Sequence, residues 1–201
     1  MPGKSTKIII IAAPSGAGKT SVVRHLLKMM PEQLSFSISA ATRKPRNNEK
    51  DGVDYYFLSV EDFEAKIAAD EFVEWEMVYE GKYYGTLKEE VERIWNEGKA
   101  PLLDVDVQGG LHVQDKFTGQ TLSLFIEPPS IQELERRLRS RGTETEESLK
   151  ARVNKAAYEL TFKDQFDHVI LNDELPRACS EAETLIRHFL TNGSNWPQIS
   201  K

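Results

Sequence analysis

Residues Ala13-Pro14-Ser15-Gly16-Ala17-Gly18-Lys19-Thr20 constrain this chain more than any other stretch. They follow an apolar run, Ile8 to Ala13, and precede a helical pattern, close to the spacing G-x-x-x-x-G-K-[ST] between a strand and a helix. Glycines let the backbone curl so that successive N–H groups point inward at a helix N-terminus, which makes a nest for an anion. Lys19 adds a point charge for the β- and γ-phosphates of a nucleoside triphosphate, and the Thr20 hydroxyl suits Mg²⁺. Alanine in place of the first glycine, at Ala13, is compatible with a turn that begins at negative φ. A buried parallel strand must precede such a loop, so the fold class follows from it. We expect an α/β chain with a phosphate-loop (P-loop NTPase) core, its parallel sheet flanked by helices.

The rest of the chain agrees with that class. Strands are predicted over Lys7–Ala12, Ser35–Ser39, Asp54–Phe57, Phe72–Tyr79, Pro101–Val105, Thr121–Ile126 and His168–Leu171. Helices are predicted over Lys19–Met30, Val60–Ala69, Leu87–Glu97, Ile131–Arg139, Glu146–Lys163 and Pro176–Leu190. Thr86 to Glu89 and Ser130 to Glu133 read as capping boxes, and Gly98 as the residue that stops a helix. Trp75 and Trp95 are expected in the core, and Cys179 is expected to be a structural thiol.

Composition narrows the function classes. With 26 basic and 32 acidic residues the net charge is −6, which argues against nucleic-acid and anionic-membrane partners. One cysteine excludes a disulfide within the chain, and four scattered histidines offer no metal-binding pair. The apolar run is far shorter than the roughly 20 residues of a spanning helix, and no cleavage site follows it. A soluble, cytoplasmic protein is expected.

Two further constellations bear on chemistry. Leu102-Leu103-Asp104 is an apolar strand ending in a carboxylate, suited to hold Mg²⁺ directly or through water. Arg43 and Arg46 lie three residues apart at a proline turn, with Tyr55 and Tyr84 further on. Arginine forks bind phosphate bidentately, so a second phosphate site beside the first suggests a kinase whose acceptor is itself a phosphate ester.

Five ordered motifs then raise a family resemblance over residues 6–187. They are the loop Ala13–Thr20; the string Ser39, Thr42-Arg43, Pro45-Arg46, Glu49, Gly52, Tyr55, Phe57; Tyr83-Tyr84-Gly85-Thr86; Leu103-Asp104-Val105-Asp106 with Gln108-Gly109; and Arg141-Gly142-Thr143-Glu144-Thr145-Glu146-Glu147-Ser148. Together they resemble guanylate kinases, which phosphorylate GMP from ATP.

The resemblance implies a division into core (about 1–34, 89–136 and 153–190), a mixed GMP-binding insertion (35–88), a helical lid (137–152) and a tail (191–201). It implies ATP as co-substrate and Mg²⁺ as cofactor. It places the ATP phosphates on Ala13–Thr20, the adenine near Asn172, and the metal at Thr20 and Asp104. Arg43, Arg46, Tyr55 and Tyr84 would clamp the GMP phosphate, with Glu49 orienting the arginines. Ser39, Glu74, Thr86 and Asp106 would read guanine, and Lys19, Arg43, Arg137, Arg141 and Arg152 would serve the transfer. Ala41 stands where the family often has a hydroxyl residue, and Thr86 where it often has serine. ATP, GMP and dGMP are the expected small-molecule partners, with a homo-oligomer possible. A non-catalytic peptide-binding module and a kinase for a phosphorylated sugar are the alternatives. The intact loop weighs against the first, and Glu74, Thr86 and Asp106 against the second.

Overall fold

A computed structural model describes residues 6–46, 48–140 and 145–194. In chain order the elements are β1 (Ile8–Ala12), α1 (Lys19–Met29), β2 (Leu34–Phe36), β3 (Ala40–Ala41), β4 (Tyr56–Phe57), α2 (Val60–Ala68), β5 (Phe72–Tyr79), β6 (Lys82–Leu87), α3 (Lys88–Asn96), β7 (Ala100–Asp104), α4 (Val107–Lys116), β8 (Thr121–Glu127), α5 (Ile131–Arg139), α6 (Glu146–Leu160), a 3₁₀ turn (Lys163–Gln165), β9 (His168–Leu171) and α7 (Leu175–Asn192).

Five strands form a parallel sheet in the order β2-β7-β1-β8-β9. β1 lies at its centre, and all five of its residues are buried. That explains the unbroken run of isoleucines, because a parallel strand covered on both faces has no polar side to show. Ile9 and Ile11 join the larger cluster with Val22, Leu26, Ile170 and Ile186, while Ile8 and Ile10 face Val91, Leu103 and Val113 on the other side. The strand order changes direction around β1, so the crevice beyond its carboxyl end is where such sheets bind ligands.

A second sheet of four strands, β4-β3-β6-β5, draws all of them from residues 40–87. It is mixed: β3 runs parallel to β4 and antiparallel to β6, which pairs antiparallel with β5. Its own core is aromatic, with Phe63 stacked between Phe72 and Tyr83 at centroid distances of 4.3 and 5.3 Å. Helices α5 and α6 pack on one another through Leu134, Leu138, Leu149 and Ala156. No helix among the described residues is long and apolar enough to cross a membrane.

Several expectations need correction. The predicted strand Ser35–Ser39 ends at Phe36 in β2, because residues 37–39 carry the chain across to β3 in the other sheet. β4 is only two residues long, and the helix predicted to Lys163 stops at Leu160 before the 3₁₀ turn. β6 and α4 lie outside the predicted elements. In β6 the tyrosines and glycine mask the alternation, and in α4 the pair Gly109-Gly110 argues locally against a helix. Thr86 does not cap α3. Leu87 holds the cap position with no side-chain bond, and the Thr86 hydroxyl turns elsewhere. Ser130 does cap α5, accepting from the Glu133 N–H, but the Glu133 carboxylate pairs with Arg136 and Arg137. Trp75 is 41% exposed and is not a core residue. Trp95 sits beside the second core cluster and donates its ring N–H to the Lys7 carbonyl. Cys179 is buried, as expected.

Candidate active site

A cleft of about 540 Å³ opens between the carboxyl edge of the parallel sheet and the second sheet. Its walls include Ala13, Pro14, Ser15, Gly16, Gly18, Lys19 and Thr20 of the loop, and Ser39, Arg46, Tyr55, Glu74 and Tyr84 of the second sheet and its turns. Asp104, Asp106 and Arg152 complete the set of expected residues that line it.

The loop is held from beneath. Gly18 takes φ 98° at the start of α1, a left-handed conformation that favours glycine. A Cβ there would stand 2.3 Å from the Asn172 amide nitrogen. That amide donates to the Ala17 carbonyl at 2.7 Å, and Asn172 is 4% exposed. Asn172 thus braces the loop and is no part of the cleft wall. Arg137 also reaches this underside, donating to the Asn172 carbonyl at 3.1 Å and weakly to Ala17 at 3.5 Å, while Glu133 accepts from its Nε at 2.8 Å. Arg141 lies outside the described residues. We expect Gly18→Ala to destabilise the fold by about 1–3 kcal/mol from backbone strain alone, and further through the clash with Asn172. A drop in the urea midpoint with unchanged slope checks this, and an unchanged midpoint contradicts it.

Inside the cleft Lys19 pairs with Asp104 at 2.6 Å and donates to the Val105 carbonyl at 2.5 Å. Thr20 and Asp104 are oxygen donors of the kind Mg²⁺ takes, and no group of three or more metal-ligating side chains occurs among the described residues. Such a set fits an ion that keeps several waters and shares itself with substrate phosphates.

On the second sheet Arg43 forms a two-pronged pair with Glu49, at 2.5 and 2.7 Å. Glu49 also accepts from the Arg46 backbone N–H at 2.8 Å, so one carboxylate shapes the turn bearing both arginines. The Arg43 hydrogen bond pulls the Glu49 carboxyl down to about 2. The Arg43 guanidinium lies 4.7 Å from the centre of the Tyr55 ring, and Tyr84 meets Tyr55 edge-on at 6.2 Å. Burial pushes the Tyr55 phenol up, partly opposed by Arg43.

Glu74 is 8% exposed and pairs across the strands with Thr86, whose hydroxyl donates to Oε1 at 2.7 Å. Burial drives its carboxyl up to about 7 against the pull of that hydrogen bond, and the charges of Asp106 and Glu76 push the same way. Asp106 opens α4 and accepts from the Gly109 N–H at 2.8 Å. A Cβ on Gly109 would lie 2.9 Å from Glu74 Oε2, so a larger residue there would push the carboxylate aside.

Sequence reasoning missed Lys155 and Glu159, which also line the cleft from α6. Glu159 is 6% exposed and its carboxyl is raised by burial, with Lys155 at 3.5 Å opposing. Their spacing of four on a polar helix face looks like an ordinary surface pair, and only the fold turns that face inward.

The guanylate kinase family model matches residues 5–189. The guanylate kinase of Bacteroides fragilis is 48% identical over 184 residues, covering 92% of this chain and 90% of that one. That of Salinibacter ruber is 46% identical over 192 residues, covering 96% and 100%. Among solved structures, the guanylate kinase of Anaplasma phagocytophilum superposes with a TM-score of 0.71 at 27% identity, over 92% of this chain and 86% of that one. An SH3-kinase fragment of tight junction protein 3, at 14% identity and a TM-score of 0.53, shares the fold alone. The family model spans most of this chain, and the two enzyme relatives cover nine-tenths or more of it at 46–48% identity. The chain belongs to the guanylate kinase family.

Proposed function

We infer that the chain carries out the family's reaction: transfer of the γ-phosphoryl group of ATP to GMP, giving ADP and GDP. The observation that carries this reading is that one cleft joins the loop bearing Lys19 to the buried Glu74–Thr86 pair. The loop N–H groups and Lys19 hold the ATP phosphates. Thr20 and Asp104 would hold Mg²⁺, which would supply neutralisation of the phosphate charge. Arg46, Tyr55 and Tyr84, with Arg43 braced by Glu49, hold the GMP phosphate. Glu74 in its ionised form accepts from guanine N1–H and N2–H₂, with Ser39 and Asp106 beside it. Adenine offers an acceptor at N1 and lacks the 2-amino group, so it would leave the carboxylate unpaired.

A GMP phosphate oxygen then bonds to the γ-phosphorus as the bond to the ADP oxygen breaks. The acceptor oxygen is already anionic, so no general base takes part. Arg152 and Lys155 line the cleft from α6 and face the charge that spreads over the transferring group, while Arg137 supports the loop from below and Arg141 is read as a further cation for the transfer. Closure of the second sheet and of the α5–α6 segment excludes water, which would otherwise compete as acceptor.

The test is turnover with ATP and Mg²⁺ against GMP, dGMP, AMP, CMP, UMP and ribose 1,5-bisphosphate. Guanine nucleotides alone are expected to turn over, and EDTA is expected to abolish the reaction until excess Mg²⁺ is restored. Equal turnover with AMP removes the guanine-reading role of Glu74. Turnover surviving EDTA removes the metal role of Thr20 and Asp104.

A further inference from the structure

Among the described residues, Glu90 is the most completely buried carboxylate outside the cleft, with its side chain 1% exposed. It sits on α3, whose neighbours Val91 and Ile94 are buried at 1% and 0% and tie the helix to the core. Four donors converge on it. The Ile38 N–H reaches Oε1 at 3.0 Å, the Tyr56 hydroxyl reaches Oε2 at 3.0 Å, and Arg93 donates to both oxygens at 2.8 and 2.9 Å. A carboxylate has about four lone-pair sites, and all are used. Burial opposes its charge, but Arg93, the Ile38 amide and the Tyr56 hydroxyl together hold its carboxyl below the ordinary value.

The placement of these donors gives the cluster its meaning. Ile38 lies where the chain leaves the parallel sheet for the second one, and Tyr56 lies on β4. Each is the chain neighbour of a residue on the cleft wall: Ile38 of Ser39, and Tyr56 of Tyr55. The Tyr56 N–H also donates to the Ser39 carbonyl at 2.9 Å, which closes the arrangement into a ring. Hydrogen bonds to a buried charge are stiffer than neutral ones and costly to lose.

We propose that Glu90 is a positioning residue for the acceptor nucleotide, its carboxylate fixing Ser39 and Tyr55 through Ile38 and Tyr56. This rests on the reading of Ser39 and Tyr55 as GMP contacts. ATP meets the opposite side of the cleft, so the effect is selective between substrates.

The test measures KM for GMP and for ATP in Glu90→Gln and Tyr56→Phe, with thermal melts confirming folded protein. Glu90→Gln is expected to raise KM for GMP about tenfold, and Tyr56→Phe about threefold, with KM for ATP within about twofold of the parent. A parallel rise in both KM values, or no rise in either, overturns the proposal. If Glu90→Gln does not fold, Tyr56→Phe decides alone, since it keeps the carboxylate and its three other bonds. Ser39→Ala and Tyr55→Phe are measured alongside. Unchanged KM for GMP in those two overturns the contact assignment, whereas a rise there without a split in the Glu90 and Tyr56 variants overturns only the positioning role.

Discussion

Lys19→Ala is expected to lower kcat by about 10³, the scale of removing one preorganised cationic donor from a transition state, with little loss of fold. Lys19 is the cation of the loop that lines the cleft, where it meets Asp104 and the Val105 carbonyl. Its removal leaves Asp104 without that partner. The Asp104 side chain is 22% exposed, so water can replace much of the lost interaction, and the stability change should stay near or below about 1 kcal/mol. Single-turnover transfer rates and a denaturation curve on the same preparation separate the two quantities. Full activity in the variant ends the role given to Lys19, and global unfolding shows that the pair with Asp104 is structural instead. Lys19→Arg should recover little, because a planar fork does not reproduce a compact ammonium inside a tight loop.

Glu74→Gln is expected to act in opposite directions on catalysis and on stability. A site built to pair with its substrate's N–H groups loses about 10⁴ in discrimination when the match fails. The substituted amide would present its own N–H₂ to one of the guanine donors, so kcat/KM for GMP should fall by about 10³ or more while KM for ATP holds. Stability moves the other way. The Glu74 carboxyl is raised from 4.5 to about 7. Between those values the folded chain keeps a proton that the unfolded chain has lost, so stability falls as pH rises through that window. Above about pH 7 the penalty is complete, and a shift of that size corresponds to about 3 kcal/mol. Glu74→Gln removes it, so the variant should melt higher than the parent at about pH 8 and no higher at about pH 4. Equal melting differences at both pH values would falsify the burial account of Glu74.

The parts of this molecule legible in the sequence are those fixed by local chemistry. The loop, β1 and the alternation of strands with helices follow from glycine spacing and from an apolar run that only a twice-covered strand can use. Ser130, Gly98 and Cys179 behave as local rules require. What stayed hidden depends on distant partners. Thr86 has the sequence of a cap, yet Glu74 twelve residues away takes its hydroxyl in the buried interior. Gly109 looks like a helix breaker until Glu74 Oε2 is seen beside it. Trp75 is apolar, but it lies on β5 at the edge of the second sheet and remains 41% exposed. Glu90, Lys155 and Glu159 carry no motif, and only the packing of α3 and α6 separates them from surface charges. The support that Asn172 gives the loop was hidden for the same reason: its amide reaches Ala17 across the fold.

That bond from Asn172 to Ala17 spans 155 positions of sequence. A loop whose letters are all present by residue 20 therefore acquires its final support only when β9 joins the sheet beside β8. Contacts of such separation bear the largest loop-closure cost and form late. During synthesis, the most recognisable segment of this chain is therefore among the last to be finished, and a nascent chain shorter than about 170 residues carries the phosphate loop as a motif without its brace.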